Sequence, residues 1–494
     1  MTTKPQYTAL PSTLSDADLA DLRDHAVDWA LAHGLVIRAP PTSTTPTSNI
    51  PLTTHAPFAL FPSPFPRKAF EFAVKIQPLF NQLVESVARD RGFLEETMES
   101  LSKVDDFTGR LYAIYKHVNS EGIQQSISLG LHRSDYLLHL SSDSSQEATP
   151  QQVELNTIAS SFSSLSHLTH DLHKYLIDRT RTLLDKDPSS RSITSEAIPP
   201  NASLYSIARG IGKAAELYNV PNAIAVMIVQ PGERNAFDQR WIEYTLFNEF
   251  KVKLVRLSLA DVAKRAKLEG VDRRLVIDGE EVAVVYFRAA YTPVDYPSEK
   301  EWEARLLIER SNAIKCPNIA HHLVGTKKVQ QILAKPGLLE RFLKSQEECD
   351  LLRSSFTNLY PLDDTQEGNA AAAMALETPE RFVMKPQREG GGNNLYGPDI
   401  PTALRSMSLH ERNAYILMDL IQPSHIASVT VRHGEIIRGE LISELGIYGV
   451  WISDGDKVHV NEQGGYLLRT KFANSNEGGV AAGFAVLDSP LLVD

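Results

Sequence analysis

The stretch RFVMKPQREGGGNNLYG, residues 381–397, concentrates the residue types that handle phosphate. A short strand would deliver Lys385 to its end, and Glu389 precedes three consecutive glycines, Gly390, Gly391 and Gly392. Without a Cβ, such residues let backbone N–H groups approach an anion closely. A lysine beside the loop suits a phosphate oxygen, and Glu389 could hold a divalent cation against the same phosphates. Asn393, Asn394 and Tyr396 crowd the segment further. The pattern is neither GxxxxGK[ST] nor GxGxxG, so it implies neither of those folds. A flexible turn with chance glycines is the alternative.

Glu154-Leu155-Asn156 is a second candidate. On a strand, positions i and i+2 share a face, so a carboxylate and an amide oxygen would point together. Such hard oxygens suit Mg²⁺, although the polar face of an edge strand would carry the same residues. Polar patches at Arg133-Ser134-Asp135-Tyr136 and ERNAFDQR (233–240) adjoin apolar elements and are equally open to a structural reading. In LLRTKFANSNEGGVAAG (467–483), Arg469 and Lys471 share a strand face before Gly478-Gly479 leads into Val480-Ala481. A guanidinium there could bind a carboxylate bidentately and the lysine a phosphate, or the face could simply be a basic hairpin. HExxH, paired CxxC and GxSxG are all missing, and His321-His322 reads as a helix end. Cys316 sits among apolar neighbours and reads as buried. Without a nucleophile or redox group, the chemistry left is positioning and charge neutralisation.

Several elements must position these residues. Ser15 opens a helical pattern with Leu19, Leu22, Ala26 and Trp29 on one face and Gly34 past its end. Residues 40–66 hold eight of the 28 prolines, and FPSPFPRKAF (61–70) predicts an extended wrap on the surface. Residues 67–104 are helical in pattern, with Pro78 expected to kink or split the helix. SSDSSQEATP (141–150) predicts a surface turn, and residues 187–201 a loop at a lobe boundary. AIAVMIVQ (223–230), VKLVRLS (252–258) and EVAVVYFR (281–288) are continuous apolar runs, the mark of strands buried on both faces. Helical stretches between them predict a doubly wound α/β module over about 221–325. Helices are expected at 301–313 and 337–346, then short strands at RFVMKP, AYILMDLIQ, IASVTVRHG, EIIRGELI and KVHV.

The chain's 494 residues exceed what one core usually supports, so two or three lobes are expected. A net charge of −11 argues against a general nucleic-acid binder. Two cysteines exclude a disulfide scaffold, and no apolar run is long enough for a membrane span. A soluble protein of a reducing compartment, most simply the cytosol, is the expectation.

Together the motifs resemble the eukaryotic-type glutathione synthetases of the ATP-grasp superfamily. The resemblance runs from about Phe61 to the C-terminus, through FPSPFPR, LHRSDYLL, VELNTIASSF, ERNAFDQR, VVYFRAAY, EARLLIERSNAIKCPNIA, VGTKKVQQ, KPQREGGGNNLYG, ISELGIYG and LLRTK…EGGVAAG. It implies an α/β ATP-grasp body with a glycine-rich lid (1–220 and 326–494) and an inserted, doubly wound substrate-binding domain (221–325). It also implies ATP-dependent joining of γ-glutamylcysteine to glycine through an acyl phosphate, and a homodimer. Glu154, Asn156 and Glu389 would hold two Mg²⁺ ions on the ATP phosphates. Lys327 and Lys385 would contact ATP under a lid of Gly390–Gly392. Asn393, Asn394, Tyr396, Met418, Asp419, Leu420, Ile421, Glu444, Lys471 and Glu477 would line the nucleotide pocket. Arg133, Ile158, Ala159, Ser160, Ser161, Glu233, Arg234, Asn235, Gln239, Arg288 and Tyr291 would take γ-glutamylcysteine, and Arg469, Val480 and Ala481 glycine. Arg133, Ser161 and Arg469 would be catalytic. Three positions depart from the common pattern: Ala159 for serine, Glu477 for aspartate and Asp419 for glutamate. A ligase using another amine, such as β-alanine, and a silent nucleotide-binding scaffold are the competing functions.

Overall fold

The structure is a computed structural model that describes residues 7–8, 14–39, 52–141, 147–186, 193–389, 392–475, 479–480 and 483–494. Its backbone is an eight-stranded sheet in the order Tyr7–Thr8, Ile426–Arg432, Phe58–Ala59, Ala485–Asp488, Lys457–Phe472, Glu435–Asp454, Ile127–His139 and Thr149–Asn156. Its centre is a hairpin of 20- and 16-residue strands that turns at Gly455-Asp456, with Gly455 at φ +54°. The expected short strands EIIRGELI and KVHV are only pieces of this hairpin. The first six residues of the strand Glu435–Asp454 are largely exposed, and their polar side chains hide the continuity from a hydrophobicity reading.

The second sheet carries the three continuous apolar runs. Leu254–Leu257, Ile224–Ile228, Glu280–Phe287 and Ile314–Cys316 lie side by side in that order and all parallel. An antiparallel hairpin, Ala266–Glu269 with Arg274–Ile277, continues the sheet at the start of Glu280–Phe287. Chain order reverses between Ile224–Ile228 and Glu280–Phe287, so a crevice is expected beyond their carboxyl ends. A third, antiparallel sheet orders Leu359–Pro361, Tyr415–Asp419, Phe382–Pro386 and Leu395–Tyr396 around a small core of its own.

Several expectations are corrected. Arg67–Arg89 is one helix that runs through Pro78, and the break comes at Asp90, whose carboxylate caps Arg91–Leu101. Residues 337–346 are not a helix: Leu339–Arg341 is a single 3₁₀ turn, and the helix is Gln346–Ser354, started by a capping box on Ser345. The Phe61–Phe70 stretch is no surface wrap; Phe61, Phe65 and Phe70 are buried, and Ser63–Pro66 pairs in parallel with Pro490–Val493. Thr149 and Pro150 belong to a strand rather than a turn. The tip of that turn (142–146), residues 187–192 and much of the proline-rich segment (40–51) lie outside the described residues. The first helix, Asp16–Ala32, opens at Ser15 as expected, and the structure adds a capping box between Ser15 and Asp18.

A buried carboxylate locks the sheet to this parallel pair. Asp488 accepts from Ser63 Oγ at 2.6 Å, Thr470 Oγ1 at 2.6 Å and its neighbour Ser489 N at 2.7 Å. Burial pushes its carboxyl up to about 7 against those hydrogen bonds. The folded chain therefore favours the protonated acid, and that stabilisation is complete below the ordinary carboxylate range and lost as pH rises through about 7. Asp488→Asn can donate to the same two hydroxyls with no charge to bury. Its melting temperature should match the unmodified protein near pH 4 and exceed it by a few degrees at pH 8. A variant less stable at both pH values would show that the ionised form is the stabilising one.

Candidate functional site

Register brings the first cluster together. Arg133 lies opposite Asn156 on one side and Tyr448 on the other, while Glu444 lies opposite Arg469 across the long hairpin. Asp135, two residues from Arg133 on the same face, takes that guanidinium bidentately, with Nε at 2.6 Å and Nη2 at 2.8 Å. Asp135 also accepts from Arg469 Nη2 and Asn156 Nδ2, both at 3.0 Å, and Arg469 contacts Glu444. Opposite Asp135 and Tyr136 the ladder skips from Glu154 to Gln152. Val153 is thus bulged out, and its carbonyl accepts from Lys385 Nζ at 2.9 Å.

Lys385 arrives on Phe382–Pro386 and is buried. Burial lowers its pKa to about 8, with Glu154 opposing the shift. Lys327, the first residue of the helix Lys327–Leu333, places Nζ 3.1 Å from Glu154 and 2.8 Å from Glu389. Burial works against the Lys327 charge, but the two carboxylates outweigh it and raise its pKa. Glu154 is held ionised against burial by Lys327, Lys385 and Arg469. Glu389 is raised, first by burial and then by the charge of Glu154. Gln387 accepts from Lys328 N at 3.0 Å, tying the end of the strand Phe382–Pro386 to this helix.

The crevice of the parallel sheet holds the second cluster. Glu233 accepts from Asn235 N at 2.7 Å and Gln239 Nε2 at 3.0 Å. Across the switch point, buried Arg288 pairs with buried Asp238 at 2.9 Å. Asp238 in turn receives Phe162 N at 2.9 Å and Ser164 N at 2.8 Å, fastening the start of the helix Ser163–Arg179. The loop before that helix puts Ala159 at φ +53° and Phe162 at +72°. Its Ser161 carbonyl accepts from Arg133 Nη1 at 3.2 Å and Tyr448 Oη at 2.6 Å. Ile158 is buried, and Ser160 donates to Leu131 O at 3.2 Å. Tyr291 N reaches Asp295 at 3.1 Å, and burial pushes its hydroxyl up to about 12. Arg234 Nε donates to Arg38 O at 3.3 Å, on the strand Val36–Arg38.

Between the third sheet and the bulged strand, Val383, Met418 and Ile421 cluster with Leu137, Val153, Tyr396 and Leu420, an apolar cluster beside Lys385. Asn394 donates to Tyr396 Oη at 3.4 Å, and Asp419 accepts from Asn358 Nδ2 at 2.7 Å. Gly392, at φ +77°, and Asn393 lie between the strands Phe382–Pro386 and Leu395–Tyr396, while Lys471 lies two residues beyond Arg469 on the same strand. Val480 is buried. Gly390, Gly391, Glu477 and Ala481 lie outside the described residues.

Asp135 and Asp238 had no role in the sequence reading, although each stands inside a quoted motif. The i, i+2 spacing of Arg133 and Asp135 was the available signal; for Asp238 there was none, because its partners lie at 162–165 and 288.

An apolar cluster beside the buried Lys385, with paired carboxylates and an arginine-lined crevice, defines an α/β protein of the ATP-grasp type. Residues 16–492 match the family model for the eukaryotic glutathione synthase ATP-binding domain. The glutathione synthetase of Homo sapiens is 46% identical, covering 96% of each chain. That of Dictyostelium discoideum is 44% identical over 96% of this chain and 99% of its own. The chloroplastic enzyme of Arabidopsis thaliana is 44% identical over 97% of this chain and 86% of its own. A glutathione synthetase-like effector from Globodera pallida, solved in its apo form, shares the fold with a TM-score of 0.77 at 24% identity, over 99% of this chain and 100% of its own. The chain belongs to the eukaryotic glutathione synthase family.

Proposed function

We propose that this protein joins γ-L-glutamyl-L-cysteine to glycine with ATP, giving glutathione, ADP and phosphate. The observation that carries this reading is Lys327 Nζ held between Glu154 and Glu389, within the same site as Arg133 and Arg469. In this reading Lys385 and Lys327 neutralise charge as the γ-phosphoryl group passes to the cysteinyl carboxylate. Arg133 and Ser161 orient that carboxylate, and Arg469 faces the oxyanion formed when the glycine amine attacks the acyl phosphate. Phosphate then leaves and the amide remains. Closing the lid of Gly390–Gly392 would keep water from the acyl phosphate. Glu233, Asn235, Gln239, Arg288 and Tyr291 bind the γ-glutamyl end. Asn393, Asn394, Glu444, Lys471, Glu477 and the 418–421 segment hold the nucleotide.

The donor set fits Mg²⁺. Among the described residues no group of three or more His, Cys, Asp or Glu side chains could hold a metal ion, so a cation on Glu154, Asn156 and Glu389 would take its other ligands from phosphate and water. Arg133 and Arg469 are already paired with Asp135 and Glu444, and Lys327 with Glu154 and Glu389. A triphosphate bringing roughly four negative charges would thus be neutralised by two divalent ions. Bound there, the ions would supply charge neutralisation along the phosphates.

The division into a catalytic region (1–220 and 326–494) and an inserted domain (221–325) is supported by the separate parallel sheet. A homodimer is supported by the helix Ala236–Phe250, which leaves Tyr244 and Phe247 about half exposed beside Trp241. A reducing compartment such as the cytosol is supported by Cys316 and Cys349, both buried and unbridged. Among the described residues no helix is long and apolar enough to cross a membrane.

The deciding assay is the ratio of kcat/KM for glycine and β-alanine. One methylene is worth about 1–3 kcal/mol in a fitted pocket, so glycine should be preferred roughly 10- to 200-fold. A ratio at or below one would favour the β-alanine ligase, and no ADP release with either amine the silent scaffold.

A further inference from the structure

We propose that Asp135 is a positioning residue, one buried carboxylate that sets Arg133, Arg469 and Asn156 relative to one another. It rests on the ligase reading above. Four hydrogen bonds converge on Asp135: two from Arg133, one from Arg469 and one from the Asn156 amide. These come from three strands, so no single element could set their geometry. Asp135 is fully buried and Arg133 nearly so, and a carboxylate removed from water needs such partners to remain charged.

The amide contact has a chemical consequence. Asn156 Nδ2 donates to Asp135 and, at 3.2 Å, to the Arg133 carbonyl. With its nitrogen so committed, Asn156 must turn its carbonyl oxygen away from Asp135, and an oxygen is the atom a hard cation needs. An asparagine at 135 keeps a single acceptor: with its oxygen in the Oδ2 place it still takes Arg133 Nη2, Arg469 and Asn156, but it turns an N–H₂ toward Arg133 Nε and breaks the bidentate grip on that guanidinium. The fold has made room for the arrangement at Gly446, the cross-strand partner of Asp135. A Cβ there would lie 2.7 Å from Asp135 Oδ1 and 2.8 Å from Arg133 Cδ.

Losing the carboxylate leaves two guanidiniums short of negative charge, which favours a substrate carboxylate in the ground state while spoiling the reacting geometry. A residue that only held the fold together would behave differently, lowering the active fraction and leaving each constant per folded molecule unchanged. Asp135→Asn and Gly446→Ala are the test, the second keeping every charge. For each, kcat per folded molecule is measured, together with calorimetric binding of γ-glutamylcysteine to protein free of metal and nucleotide. Turnover should fall at least 100-fold in Asp135→Asn and at least tenfold in Gly446→Ala, with dipeptide affinity within threefold of normal or tighter. Should Asp135→Asn fail to fold, Gly446→Ala decides by the same two numbers. Turnover within threefold of normal in a folded variant would overturn the proposal, as would a loss of dipeptide affinity that accounts for the loss of turnover. The unmodified protein, assayed alongside with glycine, reports on the ligase reading separately: if it forms no glutathione, that reading fails whatever the variants do.

Discussion

Lys327→Met should lose at least two orders of magnitude in turnover, a loss of roughly 3 kcal/mol of transition-state stabilisation. The ammonium lies 3.1 Å from Glu154 and 2.8 Å from Glu389, so its removal leaves two carboxylates facing each other without the cation that bridges them. The variant should also melt lower, because an uncompensated buried charge costs more than an ion pair gains. Adding Glu389→Gln to it should restore the melting temperature and leave turnover low, since one negative charge is gone but the phosphate contact is still missing. Glu154→Gln or Glu389→Gln alone should stay folded, since Lys327 keeps the other carboxylate, and be at least 100-fold slower if each is a cation ligand as proposed. The checks are melting curves and ADP release for all four proteins. Near-normal turnover by Lys327→Met would remove Lys327 from the phosphate site, and a double variant no more stable than Lys327→Met would mean that the carboxylates do not repel.

Arg288→Ala should act on the other substrate. Arg288 and Asp238 are buried together at 2.9 Å, and Asp238 also receives the amides that begin the helix Ser163–Arg179. Breaking one side of such a pair costs about 3–5 kcal/mol of stability. Because the arginine closes the crevice at the switch point, kcat/KM for γ-glutamylcysteine should fall by two orders of magnitude or more. Arg288→Lys keeps the charge but not the planar fork, so it should recover stability better than activity. Nucleotide affinity is the control: Lys327 and Lys385 belong to another cluster and should bind ATP normally in both variants. Equal losses in nucleotide and dipeptide binding would point to general unfolding and away from a pocket role.

Much of this protein is legible in one dimension. Apolar runs at 224–228 and 281–287 require strands buried on both faces, and their helical spacers require a parallel sheet. That sheet places Glu233 and Arg288 at a switch point by topology alone. Glu154 with Asn156, and Lys385 with Glu389, stood out because alternation along a strand and glycines after a carboxylate are local patterns. The family, too, was legible, since its motifs are contiguous runs.

What the chain could not show locally is which charge answers which. Lys327 is matched by carboxylates at 154 and 389, and Asp135 by arginines at 133 and 469. Such pairs depend on strand register, which one bulge at Val153 alters enough to send a carbonyl to Lys385. Pro78 reads as a kink or split from propensity alone, yet Ala73, Ile76 and Phe80 around it are buried, and the helix runs on unsplit. Propensity and alternation are sums over neighbours in sequence, whereas ion pairing and burial fall off with distance in space. The sequence by itself therefore determined which groups were available, and the tertiary structure decided which of them are held, paired and poised.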